Sequence, residues 1–313
     1  MRPCTLVVGI VALASGGAMA QQAAPGAERA SFSGNGSRGL AFATGVEMLA
    51  WDNGFNADEA LAKVGTAPPS YSVVSGDVTQ VVNGPEIEYG QDGVLYVAET
   101  SVNTLLHRLD PVTGGYLGVI NLTFPPQGNV ITSMEWIEGQ LWAGLTTESG
   151  GGASNTFLCT IDTGTGEITV EGDTGINRPF GGLAWAGGSV VYAITAGGST
   201  PELYAIGSDG FSTLIGPVME QGVAAPRMTA LEFGPDGQLY ALPNALQTNS
   251  GDLYLINPST AEAVNLGPTG NTGLVALTTV NRCNEADMAA PFGVLNFDDV
   301  LAFLTAFGAG CGL

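Results

Sequence analysis

Short runs in which apolar and polar residues alternate cover most of this chain, and the runs recur in a fixed order. The first full copy reads Ile87-Glu88-Tyr89, then Asp92-Gly93, then Val94-Leu95-Tyr96-Val97. It returns as Met134-Glu135-Trp136, Glu138-Gly139, Leu141-Trp142, and as Leu183-Ala184-Trp185, Gly187-Gly188, Val191-Tyr192. The last copy is Leu231-Glu232-Phe233, Asp236-Gly237, Leu239-Tyr240. A period of two predicts half-buried strands. Asp-Gly and Gly-Gly between such runs predict hairpins, because the tight turns that suit twisted strands need positive φ at their central residues. A second pair of strands completes each unit. Leu106-His107-Arg108-Leu109-Asp110-Pro111 is echoed by Leu158-Cys159-Thr160-Ile161-Asp162 and by Leu253-Tyr254-Leu255-Ile256-Asn257-Pro258, each entering a turn; Leu203-Tyr204-Ala205-Ile206 keeps the strand and changes the turn.

The aromatic anchors at 89, 136, 185 and 233 are spaced by 47, 49 and 48 residues. Leu40-Ala41-Phe42 continues the series backwards and Val275-Ala276-Leu277 continues it forwards. A unit is therefore four antiparallel strands that cannot bury both faces alone, and packing units around an axis supplies the missing partners. The fold class this predicts is all-β: a β-propeller of five four-stranded blades over residues 39–280. The strand at 272–280 completes the sheet begun near residue 40. Six blades is the alternative should the N-terminal segment supply further strands. A parallel β-helix has shorter repeats, and a two-sheet sandwich does not explain the period.

Composition changes the picture at the two ends. Residues 1–20 carry Arg2, an apolar run from Thr5 to Ala14 and an Ala18-Met19-Ala20 cleavage site, which reads as a signal peptide too short to span a bilayer. Residues 21–38 read as a flexible N-terminal segment. An exported, secreted or cell-surface protein is expected, with no membrane span. Against 29 acidic residues stand 8 Lys and Arg, a formal net charge of −21, which repels nucleic acid and anionic lipid. The 47 glycines suit many tight turns rather than a helical chain.

Two resemblances follow from the motifs. Gly234-Pro235-Asp236-Gly237-Gln238-Leu239-Tyr240 and Leu109-Asp110-Pro111-Val112-Thr113-Gly114 resemble the blade signatures of bacterial extracellular β-propellers. After Val280 the character changes, and residues 281–313 resemble the GC-type dockerin module found at the C-termini of exported proteins of planctomycete-like bacteria. The resemblance is carried by Ala286-Asp287, Pro291-Phe292-Gly293-Val294-Leu295-Asn296, Asp299-Val300 and the flanking cysteines. It implies a calcium loop followed by a helix, with attachment or assembly at the cell surface through a cohesin-like protein partner. Asp287, Asn296 and Asp299 are then the candidate calcium ligands. Asp287 lies one residue further from Asp299 than the twelve-residue loop of an EF-hand places its first ligand. Asn296 and Asp299 also suit the N-cap and first turn of a helix ended by Gly308, a role that needs no metal. Cys283 and Cys311 bracket the module in an exported chain, so a disulfide between them is expected, worth about 3 kcal/mol by chain entropy. Cys159 is read as a packed small hydrophobe.

Chemistry is sparse. His107 is the sole histidine and shares a strand position with Cys159, Tyr204 and Tyr254, which predicts a packing role. Glu88, Glu135 and Glu232 share a position on the first strand of three units, where the fourth has Ala184. If that strand lines the channel, the three carboxylates form a partial ring. They would serve as inter-blade hydrogen bonds or ion pairs with Arg178 and Arg227, as a cation or ligand site, or as paired catalytic carboxylates. Loops at 52–58, 146–155 and 243–250 are the places where a ligand would be met. The sequence thus points to a non-enzymatic binding or scaffold protein whose propeller takes a protein or polysaccharide. A polysaccharide-active lyase or glycosidase is the alternative.

Overall fold

The computed structural model describes residues 46–279, apart from 54–58, 77, 79–80, 82–85, 100–104, 148–154, 186, 208 and 245–250. The signal peptide, the segment 21–38, Leu40-Ala41-Phe42 and the whole C-terminal module lie outside the described residues, and with the module lie Cys283, Cys311, Asp287, Asn296 and Asp299.

The chain begins with β1 (Glu47–Asp52), β2 (Ala60–Thr66) and β3 (Pro69–Ser75). Blade one follows as β4 (Glu86–Tyr89), β5 (Leu95–Ala98), β6 (Leu105–Leu109) and β7 (Tyr116–Asn121). Blade two is β8 (Val130–Ile137), β9 (Gln140–Thr146), β10 (Thr156–Ile161) and β11 (Ile168–Ile176). Blade three is β12 (Phe180–Trp185), β13 (Val190–Thr195), β14 (Glu202–Gly207) and β15 (Ser212–Pro217). A short hairpin, β16 (Met219–Glu220) and β17 (Val223–Ala224), precedes blade four, which is β18 (Met228–Phe233), β19 (Leu239–Pro243), β20 (Asp252–Ile256) and β21 (Glu262–Pro268). The last strand, β22 (Leu274–Thr278), pairs antiparallel with β1 and heads the sheet β22-β1-β2-β3, the closing blade. The described residues thus form five blades of a β-propeller.

Closure occurs where the period predicts it, with one refinement. Leu49 pairs with Thr278 and Ala50 with Leu277, so the innermost position of the closing blade belongs to β22 and the N-terminal contribution begins at β1. The hairpin β16–β17 is an addition to the four-stranded unit that the period does not contain. Its strand β16 pairs in parallel with β21 and covers the outer edge of blade four, as an open edge otherwise invites pairing with another chain.

The repeated motifs have local causes. In the first turn of blades one and four, Asp92 and Asp236 each accept a backbone N–H two residues on, from Val94 and Gln238, both at 3.2 Å. Their second oxygens take the phenol hydrogens of Tyr96 and Tyr240 at 2.6 and 2.8 Å. That is why Asp-Gly is followed by Leu-Tyr. The glycines Gly93 and Gly237 sit at φ +81° and +71°, where other residues are strained. In the second turn, Asp110 accepts from the N–H groups of Val112 and Thr113, and Asp162 from those of Gly164 and Thr165. These bonds, Thr113 and Thr165 foremost, hold both carboxyls below their ordinary range.

The core lies between blades. Tyr96 of blade one stacks on Trp136 of blade two with centroids 5.8 Å apart, and Tyr192 of blade three meets Phe233 of blade four edge-on at 5.6 Å. Met48, Ala50 and Val64 of the closing blade pack with Tyr240, Leu242 and Leu253 of blade four. The recurring aromatics are thus the contact between consecutive sheets.

Candidate functional site

Glu88, Glu135 and Glu232 stand at one position of the innermost strands β4, β8 and β18, and the structure brings them together. One oxygen from each lies within 4.8 Å of the others, and all three side chains are buried. Their exposures of 1%, 2% and 4% remove them from bulk water.

Each also ties its blade to the next. Glu88 Oε1 accepts the backbone N–H of Trp136 at 3.1 Å. Glu135 is bound in the same way by the N–H of Trp185. Glu232 takes the N–H of Thr279, whose hydroxyl, also close to it, donates to the carbonyl of Phe233 at 2.8 Å. The closing blade supplies the fourth tie, because Tyr89 N–H donates to Thr278 Oγ1 at 3.1 Å. Thr278 in turn donates to Glu88 Oε2 at 3.1 Å. Thr278 therefore holds the place that the glutamates hold elsewhere, whereas the sequence period put Ala276 there. The period slips by two residues in the closing strand, and only the hydrogen bonds reveal it. Ala184 of β12 has no oxygen to offer.

Other sequence-level candidates are separate from this ring. Arg178 pairs with Glu202 at 3.3 Å, and Arg227 Nε donates to the carbonyl of Ala196, so neither forms the ion pair with the glutamates that the sequence left open. His107, Cys159, Tyr204 and Tyr254 do share one register position, opposite Val97, Ala143, Ala193 and Ala241. Cys159 is fully buried with its thiol on the carbonyl of Ala143, and burial pushes that thiol up. His107 is buried with Nε2 2.9 Å from Glu99 Oε1. The sequence carries no signal for that pair, since Glu99 follows the second strand of its blade and belongs to no repeated pattern. The loops singled out above fall largely outside the described residues, but the strands bounding them are placed: β1–β2, β5–β6, β9–β10, β13–β14 and β19–β20 all join at the end of the ring where the innermost strands begin. Among the described residues no helix is long and apolar enough to cross a membrane.

Electrostatics set the glutamates apart. Burial pushes Glu88 up to about 8, with the Thr278 hydroxyl and Trp136 N–H pulling the other way. Burial first, then the charges of Glu232 and Glu88, raise Glu135 well above the usual carboxylate range. Glu232 is raised by burial and by Glu88, and so is Glu86 at the start of β4. In the unfolded chain these groups titrate near 4.5. Between that value and about 8 the folded ring binds more protons than the unfolded chain, so its stability falls as pH rises through this window. Urea midpoints measured in EDTA should be lower at about pH 8 than at about pH 5, and the slope should shrink when Glu88, Glu135 and Glu232 are all glutamine.

No family model matches the chain, and no curated protein matches it. Solved structures do. Glutaminyl cyclase of Myxococcus xanthus is 17% identical over 63% of this chain and 70% of its own, with a TM-score of 0.41. The gluconolactonase XC5397 of Xanthomonas campestris is 13% identical over 73% and 77%, with a TM-score of 0.43. TolB of Acinetobacter baumannii is 14% identical over 75% and 66%, with a TM-score of 0.45. At such identities and scores these likenesses assign no activity to this chain.

Proposed function

We propose that this is an exported binding or scaffold protein, its propeller offering one face to a protein or polysaccharide while its C-terminal dockerin-like module attaches it to the cell surface. One observation carries this reading. In the closing blade β22 runs towards the end of the ring where β1 begins, with Leu49 opposite Thr278. Both chain ends therefore leave the ring at one end, and the strand pairs bounding the longer connections meet at the other. A tether at residues 281–313 leaves that second face free, which is the arrangement a surface-held binding module needs.

Removing residues 281–313 tests it. The truncated protein should keep the melting temperature of its ring to within about 2 °C, since every strand of the five blades lies between Glu47 and Thr278, and should move from the cell-associated fraction into the medium. Unchanged cell association would overturn the attachment. Incubated with surface polymers, the full chain should be retained without shortening them. New reducing ends would instead identify a polysaccharide-active enzyme.

A further inference from the structure

Four innermost strands carry an oxygen at the same level of the ring, and three of those oxygens belong to carboxylates out of contact with bulk water. A carboxylate buried without compensation is expensive, so such groups are met by a proton, a cationic side chain or a metal. Among the described residues the cationic side chains lie elsewhere: Arg178 is on Glu202, Arg227 on Ala196, Lys63 on Glu47 at 3.4 Å, and Arg108 acts on Tyr96 rather than on the ring. The charges acting on Glu135 and Glu232 are those of other carboxylates.

A second observation points to a ligand. Glu135 is 2% exposed, and its Oε2 has no hydrogen-bond partner at all. Backbone N–H groups satisfy this side chain on one side only, and its neighbours on the other are Glu232 and Glu88. A carboxylate oxygen left bare among carboxylates is a coordination position. The set is all oxygen, which suits a hard divalent cation. Two oxygens bound to calcium at 2.3–2.6 Å can lie up to roughly 5 Å apart, and here all three lie within 4.8 Å of one another.

We infer that Glu88, Glu135 and Glu232 form a calcium site on the ring axis, shared by blades one, two and four. The ion ties together three blades that are not all sequence neighbours and replaces carboxylate repulsion by attraction. This inference is independent of the surface-attachment reading, and its test separates the two calcium sites the chain would then hold.

Because the glutamates are buried, the full-length exported protein is unfolded in urea, refolded with calcium or with EDTA, and desalted. Wild type refolded with calcium should retain one ion per chain beyond any held by the C-terminal module, and should melt roughly 5–10 °C above the EDTA sample, the rise given by calcium near a hundred times its Kd. Glu135→Gln should lose both the ion and the shift, while Asp299→Asn should keep them. Terbium should bind with luminescence excited through tryptophan, displaced by calcium, in wild type and in Asp299→Asn but not in Glu135→Gln or Glu232→Gln. Equal melting in calcium and EDTA for wild type, or a shift that survives Glu135→Gln and disappears in Asp299→Asn, overturns the site.

Discussion

Trp51→Ala should lower the unfolding free energy by about 3–5 kcal/mol, the cost of a large cavity in a core that cannot collapse around it. Trp51 has no exposed surface and lies on β1 opposite Ala276 of the last strand. It packs with Ile87, Tyr89, Leu95 and Val97 of blade one, and its indole N–H donates to Glu59 Oε2 at 2.9 Å. Removing it therefore weakens the closing blade and its contact with the next blade together. Equilibrium urea unfolding measures the change. Val112→Ala, at a side chain 80% exposed on a turn, is the control and should stay within about 0.5 kcal/mol. A loss below about 1 kcal/mol for the tryptophan would show that closure does not depend on this packing.

Gly182→Val should be comparably damaging for the opposite reason, by about 3 kcal/mol or more. Gly182 lies on β12, and a Cβ there would meet the backbone N of Leu231, with the carbonyl carbon of Ala230 and Leu231 Cβ both at 2.8 Å. Its neighbour Gly181 would meet the carbonyl of Met228. Blades three and four thus approach backbone to backbone, and a backbone in a paired strand cannot step aside as a flexible side chain can. Melting of Gly182→Ala and Gly182→Val should fall in that order. Gly76→Ala, whose Cβ finds only ordinary contact with Val73 at 3.8 Å, should be nearly neutral. A valine variant as stable as the parent would mean that blades three and four can separate freely.

Much of the ring is legible in the chain because its causes are local. The strand pairs, the Asp-Gly turns and the aromatic anchors follow from period-two alternation and from turns that require glycine at positive φ. The equivalence of His107, Cys159, Tyr204 and Tyr254 was also readable, since each sits at a fixed offset within its unit. The extra hairpin β16–β17 had a signal, the Gln221-Gly222 pair, both at positive φ. It was hidden because two-residue strands have no alternation to detect.

The glutamate position was visible three times, but not its consequence. Nothing in the sequence says that residues 88, 135 and 232 converge, that Thr278 completes the level where the period named Ala276, or that Arg178 and Arg227 turn away to Glu202 and Ala196. Nor does it mark Gly182 as the point where two blades touch.

By itself, then, the sequence determined the repeated four-stranded unit and the strand that closes the ring, and left five blades with six as the alternative. The unit rests on hydrogen bonds and turns between residues near each other in the chain, and the closing strand is legible only because the same period recurs at both ends. The tertiary structure alone decided which oxygens share the axis and which blades meet without side chains. Those distances are fixed by how five twisted sheets pack around a closed ring, and no single unit contains that information.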